Sequence, residues 1–265
     1  MSDSGMRILA VANQKGGVGK TTTTINLGTA LAAVGERVLI IDNDPQGNAT
    51  TGMGLERGGP GRSTYEVLIG TAALAEVVVN THIPGLDCVP SSMDLLGAEL
   101  ELAEMDNKTH RLREALRMLG ERHDYTYVLI DCPPSLNLLT INALAAADAV
   151  LVPLQCEYYA LEGLSQLLKT VERVRGALNP RLSIQGVVLT MYDRRNSLSS
   201  QVADDVREVL GDVVYETIIP RNVRVSEAPS HGQPVLLYDS RCAGSQAYIR
   251  LASEIIRRER DLQTA

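Results

Sequence analysis

The chain has 265 residues, 45 % of them hydrophobic, and a formal net charge of -7. Phe and Trp are both absent, so the core must be built from Leu, Ile, Val and Ala. An acidic chain is excluded from binding nucleic acid through its overall charge, although a local basic patch remains open. Its four cysteines, Cys88, Cys132, Cys156 and Cys242, form no C-x-x-C pair, which reads as reduced thiols rather than disulfides or a zinc site. Residues 1–7 lack the basic start and apolar run of a signal peptide. The most apolar stretch, residues 143–154, is interrupted by Asp148 and Pro153 and is too short to span a bilayer. A cytoplasmic protein without a membrane span is expected.

Short apolar runs alternate with longer helical periods, the pattern of βαβ units and a mostly parallel sheet. Ile8 to Ala12 reads as a buried first strand, followed by a glycine turn. Lys20 to Val34 reads as a helix stopped by Gly35. Val38 to Ile41 is a second strand, closing on Asp42-Asn43-Asp44, and residues 47–63, rich in Gly and Thr, read as a loop. Leu86–Val89 offers a further strand. More are expected at Tyr127–Ile130, Ala149–Val152, Ile184–Leu189 and near Ile218, with helices at 109–121, 135–147, 161–176, 199–210 and 244–260. No linker or internal repeat divides the chain, so residues 1–265 read as one α/β domain: a mostly parallel twisted sheet with helices on both faces.

The glycine turn is Lys15-Gly16-Gly17-Val18-Gly19-Lys20-Thr21-Thr22. Between a strand and a helix, such a turn aims backbone N–H groups and a helix dipole at phosphate oxygens. Lys20 would reach the β- and γ-phosphates, and the Thr21 hydroxyl would join a magnesium shell. The general pattern asks for Gly at position 14; this chain has Gln14 there, and a second lysine, Lys15, begins the loop. Acids stand at two other strand ends, Asp42 and Asp44 after the second strand and Asp131 after Ile130. In a parallel sheet these ends share one cleft. Asp131 is placed to hold magnesium through water, although a strand-end Asp also serves as a helix cap.

These residues carry a family resemblance. The turn, then Asp42-Asn-Asp-Pro-Gln-Gly-Asn48, then Asp131-Cys-Pro-Pro-Ser135, resemble the ParA/Soj chromosome-partitioning ATPases, whose P-loop is of the deviant Walker type. The likeness continues through Gln155–Gly163, Val188–Arg195 and Ile219–Pro229, nearly the whole chain in order, and is strongest to alphaproteobacterial chromosomal members. It implies the P-loop NTPase fold, ATP and Mg2+ as ligands, and a homodimer with ATP at its interface. Lys15 then corresponds to the signature lysine that reaches the partner's phosphates, and Asp44 to the residue that positions the attacking water. Met191, Pro220 and Asn222 fall in segments lining the adenine pocket. The family further implies nonspecific DNA binding by the ATP dimer, hydrolysis stimulated by a ParB-type centromere-binding partner, and association with the nucleoid.

The arginines are less specific. Arg194, Arg195, Arg221 and Arg224, with Arg250, Arg257 and Arg258 on the last helix, fit either a solvated surface or a phosphate-binding patch. The resemblance favours DNA contact through the first four, Arg195 and Arg224 foremost. Rival readings fare worse. A membrane-positioning relative such as MinD would end in an amphipathic helix, whereas residues 255–265 are polar at their end. An iron–sulfur ATPase needs cluster-spaced cysteines. A GTPase needs a lysine where Met191 stands, and a small-molecule ligase or kinase finds no support beyond the loop. With the loop beginning at Lys15 there is no room for an N-terminal helix-turn-helix.

Overall fold

The computed structural model describes residues 5–58, 62–120 and 123–264. Strand β1 (Arg7–Val11) leads through the glycine turn into α1 (Lys20–Ala33). Strand β2 (Val38–Asp42) is followed by α2 (Asn48–Gly52), α3 (Thr64–Ile69), α4 (Leu74–Val77), β3 (Val79–Asn80) and β4 (Leu86–Val89). Next come α5 (Leu95–Glu104), α6 (Arg111–Gly120), β5 (Tyr127–Asp131), α7 (Leu138–Ala146), β6 (Ala149–Gln155) and α8 (Ala160–Ala177). Strand β7 (Ser183–Thr190), α9 (Ser197–Leu210), α10 (Val223–Glu227), α11 (Val235–Tyr238) and α12 (Ala243–Thr264) complete the chain.

The strands form one seven-stranded sheet in the order β3-β4-β2-β5-β1-β6-β7. Every pairing is parallel except that of the short edge strand β3 with β4. Strands β2 and β5 are buried along their whole length, as strands covered on both faces must be. Alternate residues feed two cores: Ile8 and Ala10 face the layer of α3 and α5–α9, while Leu9 and Val11 face α1 and α12. The expected α/β fold is therefore present, with an aliphatic core in which Tyr215 and Tyr248 are the large buried rings. Among the described residues no helix is long and apolar enough to cross a membrane.

Two readings need correction, and part of a third lies outside the described residues. The loop at 47–63 contains α2, because the Asp42 carboxylate accepts from both the N–H (2.8 Å) and the hydroxyl (2.6 Å) of Thr50 and fixes that turn; residues 59–61 lie outside the described set. The end of the helix expected at 109–121 also falls outside it, so that helix is followed only as α6 to Gly120. Near Ile218 there is no strand, only single bridges, Val187 to Val214 and Tyr192 to Pro220. Here the N–H groups of Glu216 and Thr217 turn to the Glu254 carboxylate on α12, each at 2.9 Å, and Pro220 has no N–H to continue a ladder.

That carboxylate also accepts from Arg258 at 2.8 Å, whose guanidinium lies 4.4 Å from the Tyr215 ring centre. Arg258 is thus occupied within the fold. Burial pushes the Glu254 carboxyl up, but the bonds from Thr217, Glu216 and Arg258 outweigh it and hold its pKa below the ordinary 4.5. A carboxyl depressed in the folded state stabilises above its unfolded pKa and stops doing so as pH falls through the folded value. Glu254→Gln is therefore expected to cost about 1–3 kcal/mol at neutral pH. The gap to wild type should close below the carboxyl's ordinary pKa. Urea melts across that range test it, and a pH-independent gap would contradict it.

Candidate functional site

The loop between β1 and α1 must reverse direction in a few residues, and its glycines make this possible. Gly17 and Gly19 take φ of 74° and 88°, the left-handed region that side chains disfavour. At Gly16 and Gly17 an added Cβ would meet nothing within 4 Å, so the concave side is open to a ligand. Asn13 stiffens the approach, donating to the Pro153 carbonyl at 2.8 Å and accepting from the Lys15 N–H at 3.0 Å. On the far side, the Thr190 hydroxyl donates to the Val18 carbonyl at 2.8 Å and ties the loop to the end of β7. Gln14 points away, reaching Thr170 at 3.3 Å.

Lys20 is only 7 % exposed and folds over the loop, its Nζ 3.1 Å from the Lys15 carbonyl. Burial lowers its pKa, opposed by the negative charges of Asp131 and Asp44. The Thr21 hydroxyl donates to Asp131 Oδ2 at 2.7 Å, and Thr24 donates to Oδ1 at 3.1 Å. Burial and then the neighbouring Asp42 raise the Asp131 carboxyl well above the usual range, and burial likewise raises Asp42. Two buried acids sharing a site with one lysine are short of positive charge. That deficit, and the hard hydroxyl and carboxylate oxygens of Thr21 and Asp131, suit magnesium, which keeps most of its waters and takes few protein ligands. Among the described residues no group of three or more His, Cys, Asp or Glu side chains could hold a metal alone.

Asp44 is 7 % exposed. Its Oδ1 accepts from the Gln46 N–H at 2.9 Å, and its carbonyl is held by the Ser91 hydroxyl at 2.6 Å. Asp42, by contrast, is spent on Thr50 and acts as a structural brace. Lys15 extends toward solvent and pairs with Glu157 Oε2 at 2.8 Å. Glu157 was not foreseen as a partner, since 142 positions separate the two. Next to it the rings of Tyr158 and Tyr159, 76 % and 64 % exposed, meet edge to face; Leu136, 43 % exposed, stands on the loop after β5.

Met191, Pro220 and Asn222 gather beyond β7. The Tyr192–Pro220 bridge zips their two segments together, Met191 takes a φ of 50°, and its methyl carbon would lie 3.6 Å from a Cβ at Gly19. Asn222 caps α10 by accepting from the Arg224 N–H. The same two segments carry Arg194, Arg195, Arg221 and Arg224, all exposed. Arg195, its side chain 88 % exposed, pairs with Asp193 at 2.9 Å. Arg224 pairs with Glu227 at 3.0 Å and Asp239 at 3.6 Å.

A family profile described as an AAA domain matches residues 6–184. The chain is 65 % identical over 263 residues to the chromosome partitioning protein ParA of Caulobacter vibrioides, covering 99 % of this chain and 98 % of that protein. The chain belongs to the ParA/Soj family of chromosome-partitioning ATPases. It is also 52 % identical over 249 residues to the sporulation initiation inhibitor protein Soj of Bacillus subtilis, covering 94 % and 98 % of the two. Its fold is similar to that of cobyrinic acid a,c-diamide synthase from Mycobacterium smegmatis, solved with bound ADP and magnesium. There the TM-score is 0.83, with 38 % identity and 96 % of each chain covered. The strand-end acids, the two loop lysines and the arginine segment after β7 all follow the C-terminal ends of parallel strands of the one sheet.

Proposed function

We propose that this protein is a magnesium-dependent chromosome-partitioning ATPase whose ATP-bound homodimer holds DNA without sequence preference and lets go on hydrolysis. One observation carries the reading: an open glycine loop whose Lys20 and Thr21 converge with Asp131 and Asp44 from neighbouring strand ends. The N–H groups of residues 16–22 bind the phosphates, and Lys20 neutralises them. Thr21 and, through water, Asp131 would hold the metal, and magnesium there would supply positive charge against the charge that develops on the transferred phosphoryl group. Asp44 orients the attacking water through Oδ2, which has no hydrogen-bond partner among the described residues. Met191, Pro220 and Asn222 border the base. A ParB-type partner accelerates the cycle, and the protein works in the cytoplasm on the nucleoid.

Dimerisation brings Lys15 across to the partner's phosphates, which requires its pair with Glu157 to break. The exposed rim of Leu136, Tyr158 and Tyr159 supports an interface, since large apolar side chains left in solvent around a site mark contact surfaces. An ion pair as exposed as Lys15–Glu157 contributes at most about 1 kcal/mol. One pair breaks in each chain, so Glu157→Gln is expected to strengthen the ATP-dependent dimer by up to about thirtyfold in association constant. Sedimentation velocity in ATP reads this directly. Unchanged or weaker dimerisation would show that the pair does not compete with the partner.

The DNA surface is assigned to Arg194, Arg195, Arg221 and Arg224. Each half is small, and a dimer doubles it, so loss of one cation per chain removes two phosphate contacts and reverses the local sign if replaced by an acid. Arg195→Glu should abolish retention on a DNA column in ATP while leaving ATP binding intact. Equal retention of variant and wild type sinks the assignment. The whole reading is tested by gel filtration with ADP or ATP, with and without a duplex of arbitrary sequence. A species that doubles in mass with ATP alone, and only then co-elutes with DNA, is expected. A protein that stays monomeric in ATP overturns it.

A further inference from the structure

Helix α5 buries Leu95, Ala98 and Leu102, yet its opposite side is also apolar. Leu96 is 58 % and Leu100 79 % exposed, and Met93, just before the helix, is 50 % exposed. At 100° per residue these three fall within one narrow stripe with Ala103. Residues 93–107 contain five acids, Asp94, Glu99, Glu101, Glu104 and Asp106, and no lysine or arginine. Glu104, Glu101 and Asp94 border the stripe on one side and Glu99 on the other. Glu101 is braced by the Tyr65 hydroxyl, which donates to its two oxygens at 2.9 and 3.1 Å. Glu99 Oε1 is shielded from water and has no hydrogen-bond partner among the described residues.

We propose that this stripe is a docking surface for a cationic amphipathic helical segment of a protein partner. Leucine-type side chains of the segment cover Met93, Leu96 and Leu100, and its lysines or arginines meet the acids on both borders. Two exposed leucines one helical turn apart, bordered by acids, offer an apolar stripe and a negative rim that complement the apolar face and flanking cations of such a helix. The surface adjoins the loop after β2: Arg57 touches the Met93 sulfur at 3.4 Å and donates to the Gln46 carbonyl. The proposal is independent of ATP hydrolysis, and its test uses no nucleotide.

The probe is a fluorescein-labelled helix-forming peptide of about fourteen residues, leucines on one face and lysines on the other, followed by anisotropy against the full chain. Wild type should bind it. Leu96→Asp/Leu100→Asp should bind at least about tenfold more weakly. Glu104→Lys should weaken binding several-fold, whereas the same charge change at Glu208 on α9 should leave it unaltered. Both leucines are exposed, so their replacement spares the fold, and thermal melts verify that. Three results would overturn the proposal: equal binding by wild type and the double aspartate variant; equal binding of a peptide whose leucines are serines, meaning charge alone attracts it; or nucleotide-free self-association of wild type that the double variant lacks, meaning a second copy covers the stripe.

Discussion

Lys20→Ala is expected to lose ATP-dependent dimerisation entirely at protein and nucleotide concentrations that fully dimerise wild type. The ammonium is nearly enclosed and already held over the loop by the Lys15 carbonyl at 3.1 Å, so it meets a phosphate with little reorganisation. Truncating one member of a buried, hydrogen-bonded charge pair costs about 2–5 kcal/mol. At about 1.4 kcal/mol per decade that is some thirtyfold to several thousandfold in affinity for ATP. The loss also strips Asp131 and Asp44 of a neighbouring cation, so the phosphates would face uncompensated carboxylates. Calorimetric titration with ATP and magnesium, paired with sedimentation velocity, separates lost binding from lost assembly. A normal ATP dimer in this variant would contradict the proposed role.

Asp44→Ala is expected to do the opposite: bind ATP, dimerise, and stall. The backbone of its loop is anchored without the carboxylate, through the Ser91 hydroxyl at 2.6 Å and the Gly47 N–H at 2.9 Å, both on the Asp44 carbonyl. Only the hold on water and on the Gln46 N–H disappears. Misplacing an attacking group costs about a hundredfold in rate, so turnover should fall by at least that much while the dimer persists and accumulates on DNA. Single-turnover hydrolysis is the decisive measurement, and an unchanged rate would remove Asp44 from the chemistry.

The sequence displayed the elements that local chemistry dictates. Buried parallel strands such as Val38–Ile41 read as unbroken apolar runs, and Gly17 and Gly19 announce a turn that other residues resist. What it hid depends on contacts between distant positions. The brace from Asp42 to Thr50 turns a Gly/Thr-rich loop into α2, and Glu254, reaching back from α12, draws Glu216 and Thr217 out of a ladder. In the site, the roles proposed for Lys20 and Thr21 follow from their position in the loop. The Lys15–Glu157 pair does not, because neither local propensity nor periodicity links β1 to the end of β6. The arginines were legible as charges only; that two segments zipped at Tyr192 and Pro220 present them together is a property of the fold.

Strand β1 also sets an order of events in synthesis. It pairs with β5, Arg7 beside Tyr127, and with β6, Leu9 beside Ala149. It is translated ahead of both neighbours, which are made more than a hundred positions later. Non-local parallel pairing of this kind forms slowly and leaves apolar edges bare in the meantime. The glycine loop has no rigid strand to stand on until β5 and β6 are translated. A nascent chain is therefore expected to hold no nucleotide until β6 has been made, which nucleotide crosslinking to stalled chains of increasing length would read.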